Sequence, residues 1–136
     1  MLDQFKWNID SDGKDVFGTG RPFSLNSFVN DKIHVYYGEA WKLPVDAIVL
    51  GQNENLTERI DGNEAVFQIA GPVFDQNCIE LENVNTGTAA IVEGGNLGCQ
   101  HVIFAVGPKY DKNFLDASIS ALHTSMMQAL TVSCYS

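Results

Sequence analysis

A loop from Gly51 to Gly62 carries the side chains best suited to bind a ligand. Asn53 has a side-chain amide, which can both donate to and accept from the hydroxyl groups of a sugar. Arg59 has a guanidinium group, which could pair with a phosphate. Each also has a structural alternative. An asparagine often caps the backbone of a turn, and an exposed arginine often pairs with neighbouring carboxylates, here Glu58 and Asp61. The residue types alone leave both alternatives open.

The segments on either side of this loop predict where it lies. Val45–Leu50 is apolar except for Asp46 and is bounded by turn residues, which is typical of a strand buried on both faces and broken by Gly51 and Asn53. Ala65–Ala70 is predicted to be a short helix, which Gly71 and Pro72 end. In a strand–loop–helix unit of this kind, ligands bind beyond the carboxyl end of the strand. The loop is therefore the predicted functional region.

The remaining elements follow from alternation, buried apolar runs and helical periodicity. The longest helix has one apolar stripe, at intervals of three or four residues, and its methionines are predicted to fill the core. The tail, residues 131–136, could begin a strand. The order of strands and helices predicts an α/β sandwich. The predicted strands are Lys32–Tyr37, Thr88–Val92 and His101–Val106, and the predicted helices are Val73–Leu81 and Phe114–Leu130.

The charge balance argues against nucleic-acid binding. The 136-residue chain carries 8 Lys and Arg residues against 17 Asp and Glu residues, a net charge of −9. A protein that follows a phosphate backbone needs a basic face, which this balance does not readily supply. No apolar segment approaches the ~20 residues of a membrane span, and the N-terminus lacks a secretory signal. We predict a soluble protein of the cytoplasm or nucleus, with no nucleic-acid partner and no membrane segment within this chain.

Cysteine and histidine spacing indicates neither a metal site nor a disulfide framework. The 3 cysteines and 3 histidines match no C-x-x-C or metal-ligand spacing. Cys78, Cys99 and Cys134 are predicted to be buried free thiols, and no metal or cofactor is predicted. Residues 1–25 are turn-rich without periodicity, which predicts a polar extension, and residues 26–136 are predicted to form the domain.

Several short motifs, in order, resemble the macro domain, a module typically associated with ADP-ribose binding. The resemblance covers about residues 33–130 and implies a three-layer α/β/α sandwich with a mixed sheet. The sequences of residues 54–59 and 106–110 are similar to those of the ganglioside-induced differentiation-associated protein 2 branch. In that branch a CRAL-TRIO domain of lipid-binding type follows the macro domain. The motifs are Gly38-Glu39, Val45–Val49 with Asn53, Ala70-Gly71-Pro72, Thr86–Ala89 and Val106-Gly107-Pro108.

The resemblance implies a ligand-binding set. Glu39 stands where the family has a carboxylate that accepts a hydrogen bond from the adenine amino group, and the backbone amide of Ala40 would face the adenine. Asn53 matches the asparagine that addresses the distal ribose. Arg59 and Gly62, in the loop, complete the predicted set. The implied ligand is ADP-ribose or an ADP-ribosylated protein.

Two departures from the family pattern bear on activity. Glu58 to Asp61 stand where the family has consecutive glycines, whose backbone amides approach phosphate closely. A carboxylate about 4 Å from a phosphate costs about 4 kcal/mol at an effective dielectric of about 20, before relaxation and salt screening. Asn63 stands where hydrolase members have an aspartate, and an amide cannot act as a general base.

These departures predict a non-catalytic module that binds ADP-ribose or a related adenosine ligand weakly. Two alternatives remain: an ADP-ribosyl hydrolase, and a protein-interaction fragment whose pocket binds no ligand. The family continues after the longest helix with further strands and a second glycine-rich loop, whereas this chain ends at Ser136. We therefore expect an incomplete sheet in which Lys32–Tyr37 lacks an inner neighbour. Two alternatives follow: a fragment of a longer protein, which could carry a further C-terminal domain, or an unusual truncated product.

Overall fold

The computed structural model describes residues 26–60 and 62–135, and the chain divides into two units after Gly38. The described part of the first unit holds helix α1 (Ser27–Asn30), which Asn26 caps by accepting a hydrogen bond from the Val29 amide. The predicted polar extension, residues 1–25, lies outside the described residues.

The predicted strand Lys32–Tyr37 is wrong. After a turn at 31–32 the chain runs to Tyr37 without regular secondary structure, and Ile33 and Tyr37 are exposed. A strand needs a hydrogen-bonded neighbour. The strands of the described sheet all lie between residues 47 and 106, and they pair with one another. Alternation alone therefore does not make this segment a strand.

The second unit is built on a three-stranded mixed sheet. Its strands are β1 (Ala47–Gln52), β2 (Ala89–Glu93) and β3 (His101–Val106), in the order β1-β3-β2. β1 runs parallel to β3, and β2 runs antiparallel to it. Central β3 is almost fully buried, as its apolar run predicts. The predicted strands at 88–92 and 101–106 are thus confirmed, with the first shifted by one residue.

Helices α2 (Asn63–Ala70) and α3 (Pro72–Glu80) cover one face of the sheet. Three phenylalanine rings form the centre of this core. The Phe67 and Phe74 ring centroids are 5.0 Å apart in an edge-to-face arrangement, and that of Phe104 on β3 lies 5.9 Å from Phe67. Gly71, at φ 86°, makes the turn between the two helices, as its position before Pro72 predicts.

Helix α4 (Leu115–Tyr135) covers β3 and β2 on the other face, which completes the predicted α/β/α sandwich. It packs through small residues, because Ser125 and Ala129 are the buried side chains of this helix. The stripe predicted to enter the core is exposed instead: Leu115, Ile119, Leu122, Met126 and Leu130. Nor do residues 131–135 begin a strand, since the helix continues to Tyr135.

The position of α4 leaves one face of β1 open. Ile48 is 6% exposed, whereas Val49 is 46% exposed. Val49 shares its side of the sheet with Ile103 on β3, against which Ala129 of α4 packs. The prediction that this strand is buried on both faces is therefore wrong. Gly51 does not break the strand, since pairing with β3 continues through Gln52, but the strand does end before Asn53, the second predicted breaker.

Candidate ligand-binding site

Gln52 holds both ends of the first part of the loop. Its side chain is buried, and its Nε2 donates to the Glu58 carbonyl oxygen at 2.8 Å. Its Oε1 accepts from the backbone N–H of Glu58 at 3.0 Å and from that of Asn53 at 3.3 Å. Strand alternation places Gln52 on the same side of β1 as Ile48, toward the core below α2 and α3. A side chain not included in the predicted site therefore closes the loop.

Asn53 caps the same loop from inside. Its Oδ1 accepts from the Thr57 backbone N–H at 2.9 Å, and its Nδ2 donates to the Thr57 hydroxyl at 3.0 Å. The turn-capping alternative for Asn53 is therefore present in the structure. Leu56, at the apex of the turn, has a φ of 54° and a buried side chain. A non-glycine residue in this region is strained, so burial and the Asn53 cap together fix the turn.

Among the described residues, the contacts of Arg59 match neither of the two alternatives that the sequence left open. Its guanidinium lies over the Phe67 ring, 3.4 Å from the centroid. Nη1 donates to the carbonyl oxygens of Leu56 at 3.0 Å and Glu58 at 3.3 Å. These contacts fasten the loop to α2. The side chain does not line the cavity described below, so the structure gives no support to a phosphate contact by Arg59.

Two residues join the end of the loop to its surroundings. Asn63, the first residue of α2, is buried, and its Nδ2 donates to the Gly51 carbonyl oxygen at 3.0 Å. A Cβ at Gly62 would lie 3.0 Å from the Trp41 ring, so the absence of a side chain allows this close approach. Trp41 belongs to a short 3₁₀ helix (Ala40–Lys42).

The loop forms one wall of a cavity of about 1300 Å³. Asn53 and Gly62 line this cavity, as expected of residues that belong to one binding site. Glu39, Ala40 and Arg59 do not line it. Glu39 is exposed and forms an ion pair with Lys42, and Ala40 is also exposed. Of the five predicted ligand-binding residues, the structure thus brings two together at one cavity.

Among the residues that the structure describes, the charged groups that line the cavity are Glu54, Glu58 and Lys109. The Glu54 carboxylate accepts from the Thr86 hydroxyl at 2.6 Å, which ties the loop to the segment before β2. With two carboxylates against one ammonium group, the lining is acidic on balance. An anionic ligand would gain attraction from Lys109 and meet repulsion from both glutamates. Lys109 was not among the predicted site residues, although it directly follows the motif Val106-Gly107-Pro108.

The other face of the cavity is apolar. Val49 on β1 and Leu122 and Met126 on α4 line it. All three side chains are exposed, because α4 does not cover this face of β1. The cavity therefore joins a polar loop to an apolar floor, a combination typical of small-molecule sites.

The cysteines and histidines form no second chemical centre. Cys78 and Cys99 are buried free thiols, as predicted, but Cys134 is exposed. Burial, with a smaller contribution from Asp75, raises the pKa of Cys78 to about 11, although Arg59 acts in the opposite direction. Burial also raises the pKa of Cys99. Both thiols are therefore protonated at neutral pH, and a thiol is a poor nucleophile.

The described residues provide neither a metal cluster nor a membrane-spanning helix. Residues 26–60 and 62–135 contain no group of three His, Cys, Asp or Glu side chains that could hold a metal ion. Among the helices of these residues, none is both long and apolar enough to cross a membrane.

The comparison with known families decides the identity of this fold. The sequence profile of the macro domain matches residues 49–134. The chain belongs to the macro domain family. Its macro domain resembles the ganglioside-induced differentiation-associated protein 2 of Homo sapiens, at 34% identity over 109 residues, or 80% of this chain and 22% of that protein. The Nematostella vectensis homologue of that protein is 40% identical over 102 residues, or 74% of this chain and 20% of the homologue. The chain thus spans about a fifth of the length of these relatives.

Solved macro domains have the same fold. The crystal structure of the macro domain of ganglioside-induced differentiation-associated protein 2 superposes with a TM-score of 0.80 at 31% identity, covering 87% of this chain and 59% of that one. The Oceanobacillus iheyensis macrodomain with ADP superposes with a TM-score of 0.63 at 25% identity, covering 70% of this chain and 53% of that one. These comparisons confirm the predicted family, the predicted branch and the α/β/α class.

Proposed function

We propose that this macro domain is a non-catalytic module that binds ADP-ribose, free or attached to a protein, with low affinity. Membership of an ADP-ribose-binding family supports the ligand class. The cavity lies beyond the carboxyl ends of parallel β1 and β3, where open α/β sheets bind their ligands. Asn53 retains one free amide N–H toward a ribose hydroxyl after its bonds to Thr57.

The observation that carries the non-catalytic proposal is the contact of Asn63 with Gly51. Hydrolase members of the family have an aspartate at this position, whereas the side-chain amide of Asn63 donates one N–H to a backbone carbonyl. An ionised carboxylate has no proton to donate there. The Asn63 amide thus has a structural role, and a carboxylate acting as a general base could not make the same hydrogen bond. Among the carboxylates that line the cavity, Glu54 accepts a hydrogen bond from the Thr86 hydroxyl.

Low affinity follows from the charges of the loop. Glu54 and Glu58 line the cavity, and Arg59, the cation nearest to them in sequence, is turned to Phe67. The Glu58 N–H is bonded to Gln52, so it is not available to a phosphate oxygen. Lys109 supplies the attraction that remains. We expect the adenosine and ribose groups of the ligand to contribute more than its diphosphate.

A capture and release assay tests the proposal. A protein carrying radiolabelled ADP-ribose on a carboxylate or serine side chain is incubated with the domain, and retained label and released label are measured separately. We expect retention above that of a Gly62→Leu variant, whose side chain meets Trp41 beside the cavity, and no release above the buffer rate. Release by the wild-type domain would establish a hydrolase. Equal retention by both proteins would contradict ligand binding at this cavity.

A protein-interaction role is the second candidate, and the outward stripe of α4 favours it. Asp116 is the only Asp, Glu, Lys or Arg among the 21 residues of this helix, and its large apolar side chains face outward. An apolar face of this kind is often an interaction surface. Under either candidate we place the protein in the cytoplasm or nucleus; under the first, its partners are ADP-ribosylated proteins rather than nucleic acids.

A further inference from the structure

Two hydrogen-bonded clamps, one inside the other, shape the loop after β1. The outer clamp joins the Gln52 side chain to the backbone N–H and carbonyl of Glu58. The inner clamp joins the Asn53 side chain to Thr57. The outer clamp also holds the base of the inner one, because Gln52 Oε1 accepts from the Asn53 backbone N–H. The orientation of Asn53 therefore depends on Gln52.

The outer clamp works like a backbone pair of a β-ladder. A side-chain amide offers one carbonyl and one NH₂ group, and these match the N–H and carbonyl of a single residue. Gln52 is 5% exposed, so these bonds form away from bulk water, where leaving a partner unsatisfied is costly. No other residue type places both a donor and an acceptor at this reach without a charge.

The clamps also decide which parts of a ligand the loop can contact. Both backbone polar groups of Glu58 are consumed by Gln52, and the Arg59 guanidinium is bonded to Leu56 and Glu58. The Glu58 N–H is therefore not available to a diphosphate, and Arg59 does not line the cavity. The Asn53 amide lines the cavity and keeps one N–H in addition to its bonds with Thr57. The loop is thus arranged to contact a sugar hydroxyl rather than a phosphate.

We infer that Gln52 is a positioning residue that orients Asn53 toward the distal ribose and so makes the site distinguish ADP-ribose from ADP. This inference rests on the proposed function, because it concerns the selectivity of the same cavity. ADP lacks the distal ribose, so its affinity does not depend on the orientation of Asn53. The ratio of the two affinities therefore reports on the clamp.

The test is calorimetric titration of the wild-type domain, Gln52→Met and Gln52→Glu with ADP-ribose and with ADP. Met has nearly the volume of Gln but no amide. We expect Gln52→Met to lower the ADP-ribose affinity about five- to twentyfold and to change the ADP affinity less than about twofold, from the loss of an oriented hydrogen bond. Gln68→Met is the matched control, because its amide bonds to Glu64 on the exposed side of α2, and both affinities should remain unchanged.

Gln52→Glu adds a pH signature. A carboxylate can accept from the two backbone N–H groups but cannot donate to the Glu58 carbonyl oxygen, whereas the protonated acid can do both. We expect the ADP-ribose affinity of this variant, relative to ADP, to recover toward the wild-type ratio as the pH falls from 8 to 5. The wild-type ratio should not change over that range. A general loosening of the domain would lower both affinities at every pH.

Each outcome is decisive. If the wild-type domain binds neither nucleotide, the proposed function fails and the inference fails with it. If the wild-type domain binds ADP-ribose but both Gln52 variants keep the wild-type ratio of affinities, or lose both ligands equally at every pH while remaining folded, the inference alone is overturned. A thermal unfolding curve of each variant shows that it is folded. Should Gln52→Met not fold, Gln52→Glu at pH 5 and pH 8 decides the question.

Discussion

The side-chain amide of Asn63 donates to the carbonyl oxygen of Gly51 at 3.0 Å, which joins the first residue of α2 to the end of β1. Both residues line the cavity, and the bond encloses the whole loop between them. The loop is therefore closed at its base by Asn63 and within its length by Gln52.

Asn63→Asp should destabilise the domain in a pH-dependent way. Because Asn63 is buried, a carboxylate in its place would face the Gly51 carbonyl without a proton to donate. The folded state then raises the pKa of the new carboxyl above its unfolded value of about 3.9, so stability is lost as pH rises through the folded pKa. We expect a loss of about 1–3 kcal/mol at pH 7 and a smaller loss at pH 4, measured by urea unfolding. An equal loss at both pH values would contradict the contact.

Arg59 should matter for stability rather than for phosphate binding. Arg59→Met removes the contact with the Phe67 ring and the bonds to two loop carbonyls, for which we expect a loss of about 1–2 kcal/mol. The ADP affinity, measured by calorimetry, should change less than about twofold. A tenfold loss of ADP affinity with unchanged stability would show instead that Arg59 binds phosphate.

Cys78 should make the fold sensitive to alkali. Burial raises its pKa in the folded state to about 11 from an ordinary value of 9.0, so the folded state holds its proton more tightly than the unfolded chain. The contribution of the neutral thiol is complete below pH 9 and is lost between about pH 9 and pH 11. Urea unfolding at pH 8 and pH 10.5 should show a smaller pH-dependent loss for Cys78→Ala than for the wild-type domain. The exposed Cys134, replaced by Ala, serves as the control and should leave the pH dependence unchanged.

Helix α4 should tolerate changes on its apolar outer side better than on its small inner side. Ala129 is 2% exposed against the sheet, so Ala129→Leu overpacks this contact and should cost about 1–3 kcal/mol. Leu130 is 60% exposed, and Leu130→Ala should change stability by about 0.5 kcal/mol or less. Thermal unfolding of the two variants compares them directly. The reverse order would mean that α4 packs through its large side chains.

The elements that could be predicted are those whose pattern is local and whose partner is present. β3 is apolar from Val102 to Val106 and central in the sheet, and α3 lies where the sequence predicts it, shifted by one residue. Lys32–Tyr37 has an equally regular alternation, but a ladder depends on a partner strand that alternation cannot reveal. The stripe of α4 was predicted correctly as a stripe. Which side of a helix faces the sheet depends on how closely the backbones approach, and here the side with the small residues faces the sheet.

The sequence predicts the position of the site but not the side chains that hold its loop in place. The loop 51–62 and Asn53 follow from the strand–loop–helix order, and both line the cavity. Gln52 was missed because the apolar run stops at Leu50. Continuing the alternation of Ile48 and Leu50 by one step would have placed Gln52 on the buried side. The position of Arg59 depends on Phe67, eight residues away on the next helix, which no local pattern indicates.

The most direct test of the central claim is calorimetric titration of the wild-type domain and Glu58→Gln with ADP-ribose. We predict a wild-type Kd between about 10 μM and 1 mM, and an affinity about three- to tenfold higher for Glu58→Gln, because one half-buried like charge leaves the cavity wall. Glu82→Gln, an exposed carboxylate outside the cavity, should match the wild-type domain. No binding by any of the three proteins would contradict the account, and so would an affinity of Glu58→Gln no higher than that of the wild-type domain.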